Sequence, residues 1–579
     1  MFKANLLSAI FASLTILFTY LILKKLQVKE VIAVSVPLIL AVSASFWEYS
    51  NSADVFTFAT FLLSLSLWLL FSRRIWFSFF VLGLSSSHFY ITSLLAPLFV
   101  WYYWGFKPTI RNFVISVVIF CLGFFPQLVM YYRMLQLPEI NWGHVESFTG
   151  FIEFVRRKEF GGFFIIQTPV STFMLSKFIG HIVYFYIALF LEFAILPLAL
   201  IYPLTHKPFS KSFSLLAFSF LVIFLIQMLT IATIEPNSET FQINKFYILS
   251  FFLITLLIGV SLSQFSKVLQ KSEKILIPLI LLIPLFFLLN FGKRDQSGNL
   301  FTQNLVSDAL EQLPPGSLAI TDNHWFNYGT LYEQKINHKF TDISLLYYPN
   351  TVNYDASKYY PKYFQNPPDQ KFISKTAERF TLGPGEKIFL DGISRNLDKD
   401  IYFIQGTHEE IAFTFIKNYF TPYGLWWKFN VSPKPEDNLT LFENLRNKGV
   451  KKTDFHDNQL QMGTLIYAVA YHTEAIYLAR NGQYDKALEF FQRSLAVDDT
   501  NSGIPNEIKV VTEIKSLETV YDNLLEGKKI QSLSRLAYLY QTIGNYQKSV
   551  EVYQKLLEFE PSNKDLKSAL DVASKSLAY

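Results

Sequence analysis

The chain has 579 residues, of which 51% are hydrophobic, 17% aromatic and only 17% charged. That balance excludes an ordinary soluble protein, and a net charge of +5 over this length supports no nucleic-acid binding. The one cysteine, Cys121, can form no intrachain disulfide, so cysteine usage says nothing of compartment.

The apolar residues crowd into the first half in runs of about 20, the length that crosses a bilayer. They predict ten spans: Asn5–Leu23, Val31–Trp47, Val55–Phe71, Ile75–Leu84, His88–Trp104, Phe113–Tyr131, Lys177–Tyr202, Phe213–Ile234, Phe246–Gln264 and Ile275–Asn290. The fourth is short, and Ser85–Ser87 after it reads as a tight polar turn or as a mid-membrane break.

Lysine and arginine in short loops set orientation. Lys24, Lys25 and Lys29, then Arg73 and Arg74, Lys107 and Arg111, Lys207 and Lys211, and Lys267, Lys271 and Lys274 fall on one side. The opposite loops at Glu48–Asp54, Ser85–Ser87 and Glu235–Asn244 carry none. Met1 then lies on the external face, and the first helix runs inward as internal helices of longer proteins do. The expectation is a missing upstream helix and external loop, the alternative being a genuine external N-terminus.

This topology gathers Lys3, Glu48, Asp54, His88, Lys245 and the loop 141–162 on the external side. Ionisable groups at membrane borders are costly unless solvated, paired or used. Asp54 opens a helix, where it caps the positive dipole end or serves a site. His88 is a helix-start residue or a site residue. In the loop NWGHVESFTGFIEFVRRKEFGG, Phe148, Phe151, Ile152 and Val155 repeat at helical spacing opposite Glu153, Arg156 and Arg157. Such a helix lies flat at a bilayer surface or simply joins two spans. Arg156, Arg157 and Lys158 are the densest external cation cluster of this half, suited to a phosphate head group or to anionic lipid.

Beyond Gly292 the chain turns polar. Ser317–Thr321, Ile343–Tyr347, Lys387–Leu390 and Ile401–Ile404 read as short strands separated by turn signals such as Pro314-Pro315-Gly316, giving a small external α/β domain. No nucleotide-binding glycine fingerprint is present, and His324 and His338 are too isolated for a zinc site. From about Gly463 two stretches share a pattern: Gly482, Tyr484, Ala487 and Phe491, then Gly544, Tyr546, Ser549, Tyr553 and Pro561. They match the second half of a tetratricopeptide repeat, where small residues let paired helices approach. The glycines are 62 residues apart, which predicts a degenerate helical pair between them. The domains expected are residues 1–292 in the membrane, 293–460 as an external α/β domain and 461–579 as helical repeats.

Several strings together resemble one family. KANLLSAIFASLTILFTYLILKKL at residues 3–26 resembles its R-x-N-L-L-S-A helix with Lys3 for arginine. FWEYSNSADVF at 46–56 resembles its tryptophan-then-E-V-Y element, with Asp54 for the glutamate and Phe56 for the tyrosine. LGLSSSHFYITSLLAP at 82–97 resembles a G-L-S-x-x-H segment, the loop at 141–162 a W-G…G-F loop with a basic pair, and LPPGSLAITDN at 313–323 the start of an external domain. The family is domain of unknown function 2723, related to protein O-mannosyltransferases of the GT-C glycosyltransferase fold. The resemblance covers most of Met1–Lys428, and tetratricopeptide tails are a frequent addition to it.

The resemblance implies a polytopic α-helical membrane protein that transfers a sugar, mannose for example, from a polyprenyl-phosphate donor to an acceptor hydroxyl. Transfer would take place at the external face of a bacterial inner membrane, with the C-terminal half periplasmic. Arg156, Arg157, Lys158 and Lys245 would hold the donor phosphate, Trp142 would contact sugar or acceptor, and Asp54, Glu48 and His88 would line the catalytic side. The family's D-S-G-E-type acidic loop, which would carry the main catalytic acid, lies upstream of the segment that Lys3 opens. No metal-ligand set and no further cofactor stand out. The partners implied are membrane lipid, the polyprenyl-linked sugar, a protein or glycan acceptor, and a protein on the repeats. The alternative is a noncatalytic membrane scaffold presenting the repeats to an envelope partner. A transporter fits less well, because the charges gather at one face.

Overall fold

The computed structural model describes residues 2–52, 55–136, 145, 147–156, 158, 175–205, 210–232, 234, 243–268, 277–294, 299–347, 363–377, 384–406, 419–430, 438–454, 458–520 and 526–578. They form two compact units, Met1–Gly298 and Asn299–Tyr579.

In the first unit the helices are α1 (Phe2–Lys25), α2 (Glu30–Val42), α3 (Ala44–Ser50), α4 (Val55–Phe71), α5 (Ile75–His88), α6 (Ala96–Trp104) and α7 (Ile110–Leu122). They continue with α8 (Phe125–Met134), α9 (Phe148–Val155), α10 (Leu175–Phe193), α11 (Ile201–Thr205), α12 (Lys211–Ile231), α13 (Ile248–Val268) and α14 (Ile277–Arg294). Among the described residues five helical segments are long and apolar enough to cross a membrane: Asn5–Lys25, Ile110–Met134, Leu175–Phe193, Lys211–Ile231 and Ile243–Ser266. α2 and α3, bent by 67° at Ser43, are long and apolar enough only when taken together, as a broken span or a re-entrant loop.

The ten expected spans are thus resolved differently, because hydropathy registers apolar runs and not the breaks inside them. Val31–Trp47 is the bent pair. His88–Trp104 is an extended Phe89, a 3-10 turn at Tyr90–Leu95 and the nine-residue α6. Lys177–Tyr202 stops at Phe193, where Ala194 turns left-handed (φ 50°) and Pro197 follows in a 3-10 turn. Ser85–Ser87 is no turn: α5 runs through it to His88.

Packing follows residue size. α1 and α4 interlock through Phe11 on Phe58, with centroids 4.4 Å apart, and Phe18 on Trp68 at 5.4 Å. α4 and α5 are tied by reciprocal serines: Ser66 Oγ donates to the Ser78 carbonyl at 2.9 Å and Ser78 Oγ to that of Ser66 at 2.8 Å. Gly83 and Gly123 let α5 and α7 touch backbone to backbone, since a Cβ on Gly83 would sit 2.1 Å from the Phe120 carbonyl oxygen. Small residues serve this purpose where burial from water drives nothing. The 3-10 turn Ile243–Tyr247 and α13 form the most enclosed span, 89% buried.

The second unit opens with α15 (Phe301–Leu310), β1 (Leu318–Thr321), α16 (His324–Lys335), β2 (Ser344–Tyr347), α17 (Gln370–Ala377), α18 (Pro384–Ser394), β3 (Ile401–Ile404), β4 (Phe420–Tyr423) and β5 (Trp426–Phe429). The sheet order is β2-β1-β3-β5-β4, with β1 parallel to both neighbours and the last two strands antiparallel. β1 and β3 are buried throughout, as strands inside a parallel sheet are. Three of the four expected strands are present. The fourth, Lys387–Leu390, lies instead in α18: Phe389, Leu390 and Ile393 bury one helical face, and Arg395 closes on Asp391 one turn back. β4 and β5 were not anticipated; Gly424 (φ 58°) supplies the left-handed position of their two-residue loop.

Then follow α19 (Asn458–Arg480), α20 (Tyr484–Val497), α21 (Ile504–Val520), α22 (Glu526–Thr542), α23 (Tyr546–Phe559) and α24 (Lys564–Ala578). Between Gly482 and Gly544, where a degenerate helical pair is expected, the described residues form α20, α21 and α22; α20 and α22 belong to the two hairpins and α21 stands between them. One core cluster includes Phe301, Ala319, Trp426, Tyr467, Phe491 and Ile543, so sheet and repeats share an interior. Buried Asp308 pins them together: it accepts from Arg446 N at 2.9 Å, Arg446 Nη1 at 3.0 Å and the Tyr467 hydroxyl at 2.9 Å. Burial, then Asp308, pushes the Tyr467 phenol upward.

Candidate functional site

The first unit brings several of the expected residues to one end of its bundle. His88 is exposed at the C-terminus of α5, and its Nε2 lies 3.0 Å from the Val55 carbonyl. A carbonyl only accepts, so Nε2 carries the proton in this contact. The ring stands edge-on to Phe58 at 4.9 Å. Phe56 meets Phe89 at 5.4 Å and Phe246 at 5.3 Å, which draws in the turn holding Lys245. Lys245 Nζ sits 5.7 Å from the Phe246 ring centre. Half-buried Glu48 is on α3, which packs against that turn and against α4. Asp54 and Trp142, both expected here, lie outside the described residues, as does Arg157.

The amphipathic helix expected in the loop is α9. Ser147 caps it by accepting from Gly150 N at 3.0 Å. Its apolar residues divide. Phe151 is buried against Tyr131 of α8, 4.8 Å away, while Phe148, Ile152 and Val155 are exposed. Of the basic cluster, Lys158 is engaged by Glu153 at 2.5 Å and Arg156 is exposed to solvent.

Sequence reasoning missed a buried carboxylate of the first unit. Glu192 of α10 is 5% exposed, and its Oε1 accepts from Ser45 N at 3.0 Å and from Ser45 Oγ. On the other side of the bend, Asn290 Nδ2 donates to the Val42 carbonyl at 2.8 Å. Two distant side chains therefore satisfy backbone groups that the break at Ser43 sets free. The signal was present: Glu192 is the sole acidic residue of a 19-residue apolar helix.

In the second unit, the strand order reverses between β1 and β3, the place where open parallel sheets bind ligands at their carboxyl ends. A Cβ on Gly406 (φ 70°), just past β3, would lie 2.8 Å from the Ile466 Cα, so α19 packs closely on the chain leaving that strand. Among the described residues no three His, Cys, Asp or Glu side chains converge as a metal site would require.

The repeats hold two polar nodes. Glu518, at the end of α21, accepts from Tyr484 at 2.8 Å, from Lys548 at 3.1 Å and from Tyr540. Burial acts to raise its pKa, but the hydroxyls and the ammonium outweigh it and hold the carboxyl below the usual range. At the second node the two glycine turns meet. Arg480 Nε donates to the Ile543 carbonyl at 2.8 Å, and Asn545 Nδ2 to that of Arg480 at 2.7 Å. Beside them is a recess of about 270 Å³ lined by Arg480, Asn506, Glu507, Thr542, Gly544 and Tyr546. A wider groove of about 620 Å³ includes Arg535, but that guanidinium is held in both directions by Glu513 at 2.7 Å.

Residues 468–501 and 530–563 each match the tetratricopeptide repeat family. Both matches lie in the second unit, and each covers one hairpin, α19/α20 or α22/α23. Within them Ala487, Phe491, Ser549 and Tyr553 are buried at the helix contacts. No curated protein and no solved structure matches the chain.

Proposed function

We propose that this chain is an integral membrane protein that holds a protein partner on its tetratricopeptide repeats. The observation that carries the reading is the pair of repeat hairpins in a chain that also has five long apolar helices. Stacked helix pairs leave a continuous surface between repeats, and such surfaces commonly take proteins or peptides. The partner belongs to the cell envelope if the C-terminal half is periplasmic. The test is site-specific photocrosslinking from Tyr538 and Tyr546 in native membranes, with the full-length chain. One crosslinked species that competes with its purified form supports the reading; crosslinks to lipid alone overturn it.

A second reading is favoured by α9. Its exposed Phe148, Ile152 and Val155, followed by Arg156 and Lys158, suit a helix lying at a bilayer surface with cations at the head-group level. In this reading the membrane unit is GT-C-like and transfers sugar from a polyprenyl-phosphate donor to a hydroxyl at the external face. Arg156, Arg157, Lys158 and Lys245 meet the departing phosphate, and Glu48, Asp54 and His88 line the acceptor side. Neutralising Arg156 and Arg157 together should abolish transfer of labelled sugar while membrane insertion persists. Transfer that survives both changes removes the phosphate role, and a full-length chain that transfers nothing leaves the scaffold.

A further inference from the structure

Arg480 is an exposed residue, but its guanidinium is fixed in place and partly withdrawn from solvent, which lowers its pKa. Its Nε edge is bonded to the Ile543 carbonyl, and its Nη2 lies so near Gly544 that a Cβ there would be 2.4 Å away. Gly544 thus does two things: it takes the left-handed turn (φ 73°) and leaves room for the guanidinium. Among the described residues Arg480 has no carboxylate in ion-pair reach. Of the cations on the neighbouring helices, Lys548 is engaged by Glu518 and Arg535 by Glu513. Arginine immobilised along one edge offers its terminal N–H groups with little ordering left to do.

We propose that the recess beside Arg480 accepts a carboxylate side chain from an acidic peptide of the partner. This deepens the repeat-binding reading above and rests on it. Volume and charge select the ligand. About 270 Å³ holds one side chain and not a folded surface. A single guanidinium matches one carboxylate in the forked geometry that arginine favours. A dianionic phosphate would have one cation to meet and the Glu507 carboxylate, itself held by His472 at 2.7 Å, on the same wall. Asn506 and Thr542 supply neutral polar walls, and Tyr546 an aromatic one, for the rest of the residue.

The experiment uses the full-length chain in detergent micelles and a fluorescent twelve-residue peptide of alanine, leucine and four glutamates, beside its glutamine counterpart. The glutamate peptide should bind at least tenfold more tightly, and Arg480→Gln should remove that preference. Asn506 is exposed on the recess wall, so it tests the site without disturbing the turn. Asn506→Asp should weaken the glutamate peptide severalfold and Asn506→Lys should strengthen it, neither altering the glutamine peptide. Arg535→Gln, in the other groove, should leave the preference unchanged. Equal binding of the two peptides by the native chain, or no effect of either Asn506 change, overturns the assignment. So does displacement by inorganic phosphate at lower concentration than acetate. Should photocrosslinks to a partner persist while the peptides bind alike, the recess fails and the repeat reading stands; loss of both removes both.

Discussion

The backbone N–H of Ser45 donates to Glu192 Oε1 at 3.0 Å, across 147 residues of chain. With Asn290 on the Val42 carbonyl, it makes the bend between α2 and α3 a built feature. Glu192→Leu leaves both the N–H and the hydroxyl of Ser45 without their acceptor, at a cost of about 1–3 kcal/mol for each buried group. Glu192→Gln keeps an acceptor oxygen and should lose less than half as much. Thermal unfolding of the two variants in lipid nanodiscs orders them. Equal midpoints would mean that the carboxylate does not support the bend.

The contact of Gly83 with Gly123 admits no side chain. A Cβ on Gly123 would lie 2.5 Å from the Phe80 carbonyl oxygen, and the obstruction is backbone that no rotamer change relieves. Gly123→Val should separate α5 from α7 and expose the α5 face to protease in membranes. Gly105, which has nothing within 4 Å of its would-be Cβ, is the control for crowding, although its φ of 78° carries backbone strain of its own. Limited proteolysis in which Gly123→Val is no more sensitive than the native chain would exclude a tight crossing.

The contrast between what was legible and what was not has a physical basis. Ile401–Ile404 has the expected bounds as a strand, an uninterrupted apolar run between Asp400 and Gln405, and Val55–Phe71 has them as a helix, a run broken only by threonine and serine. Glycine two residues ahead of tyrosine marked both repeat turns, and both are left-handed at Gly482 and Gly544. Breaks within apolar runs were invisible: nothing local at Ser43 foretells a 67° bend, because the groups that satisfy it come from Glu192 and Asn290. β5 was hidden for a similar reason. Trp426 and Trp427 carry no alternation, and Trp426 Nε1 finds its partner in the distant Ala309 carbonyl. His88 reads from sequence as a helix-start or a site residue; the structure puts it at the end of α5 with Nε2 on the Val55 carbonyl, a contact that corrects the helix-start reading and leaves the site reading untouched.

Asp308 tests whether sheet and repeats unfold together. Its side chain is fully buried, and it accepts from groups on both the loop at Arg446 and α19. Asp308→Ala strands the Tyr467 hydroxyl and the Arg446 N–H, costing about 2–4 kcal/mol. Because the core is shared, near-ultraviolet dichroism from Trp426 and Trp427 and backbone hydrogen exchange in α19 should shift by the same amount. Exchange that accelerates in α19 alone would show two separate cooperative blocks.

Glu518 predicts how the repeats respond to acid. Its carboxyl is held below the usual range in the folded chain, so the folded state binds its proton less readily than the unfolded state does. The contribution is complete above the ordinary glutamate value and is lost as pH falls through the depressed one. Asp498 and Glu513 are depressed as well, so the three act in the same direction. For Asp498, burial opposes the shift, and bonds from Thr500 and Lys452 prevail; for Glu513, the Arg535 pair is the main cause. Hydrogen exchange in α21 and α22 should therefore accelerate below about pH 4.5, the region in which unperturbed glutamates titrate. Glu518→Gln should be less protected at neutral pH and should show a shallower acid dependence, with a residual slope from Asp498 and Glu513. A variant as steep in pH as the native chain would show that Glu518 does not hold α21 to its neighbours.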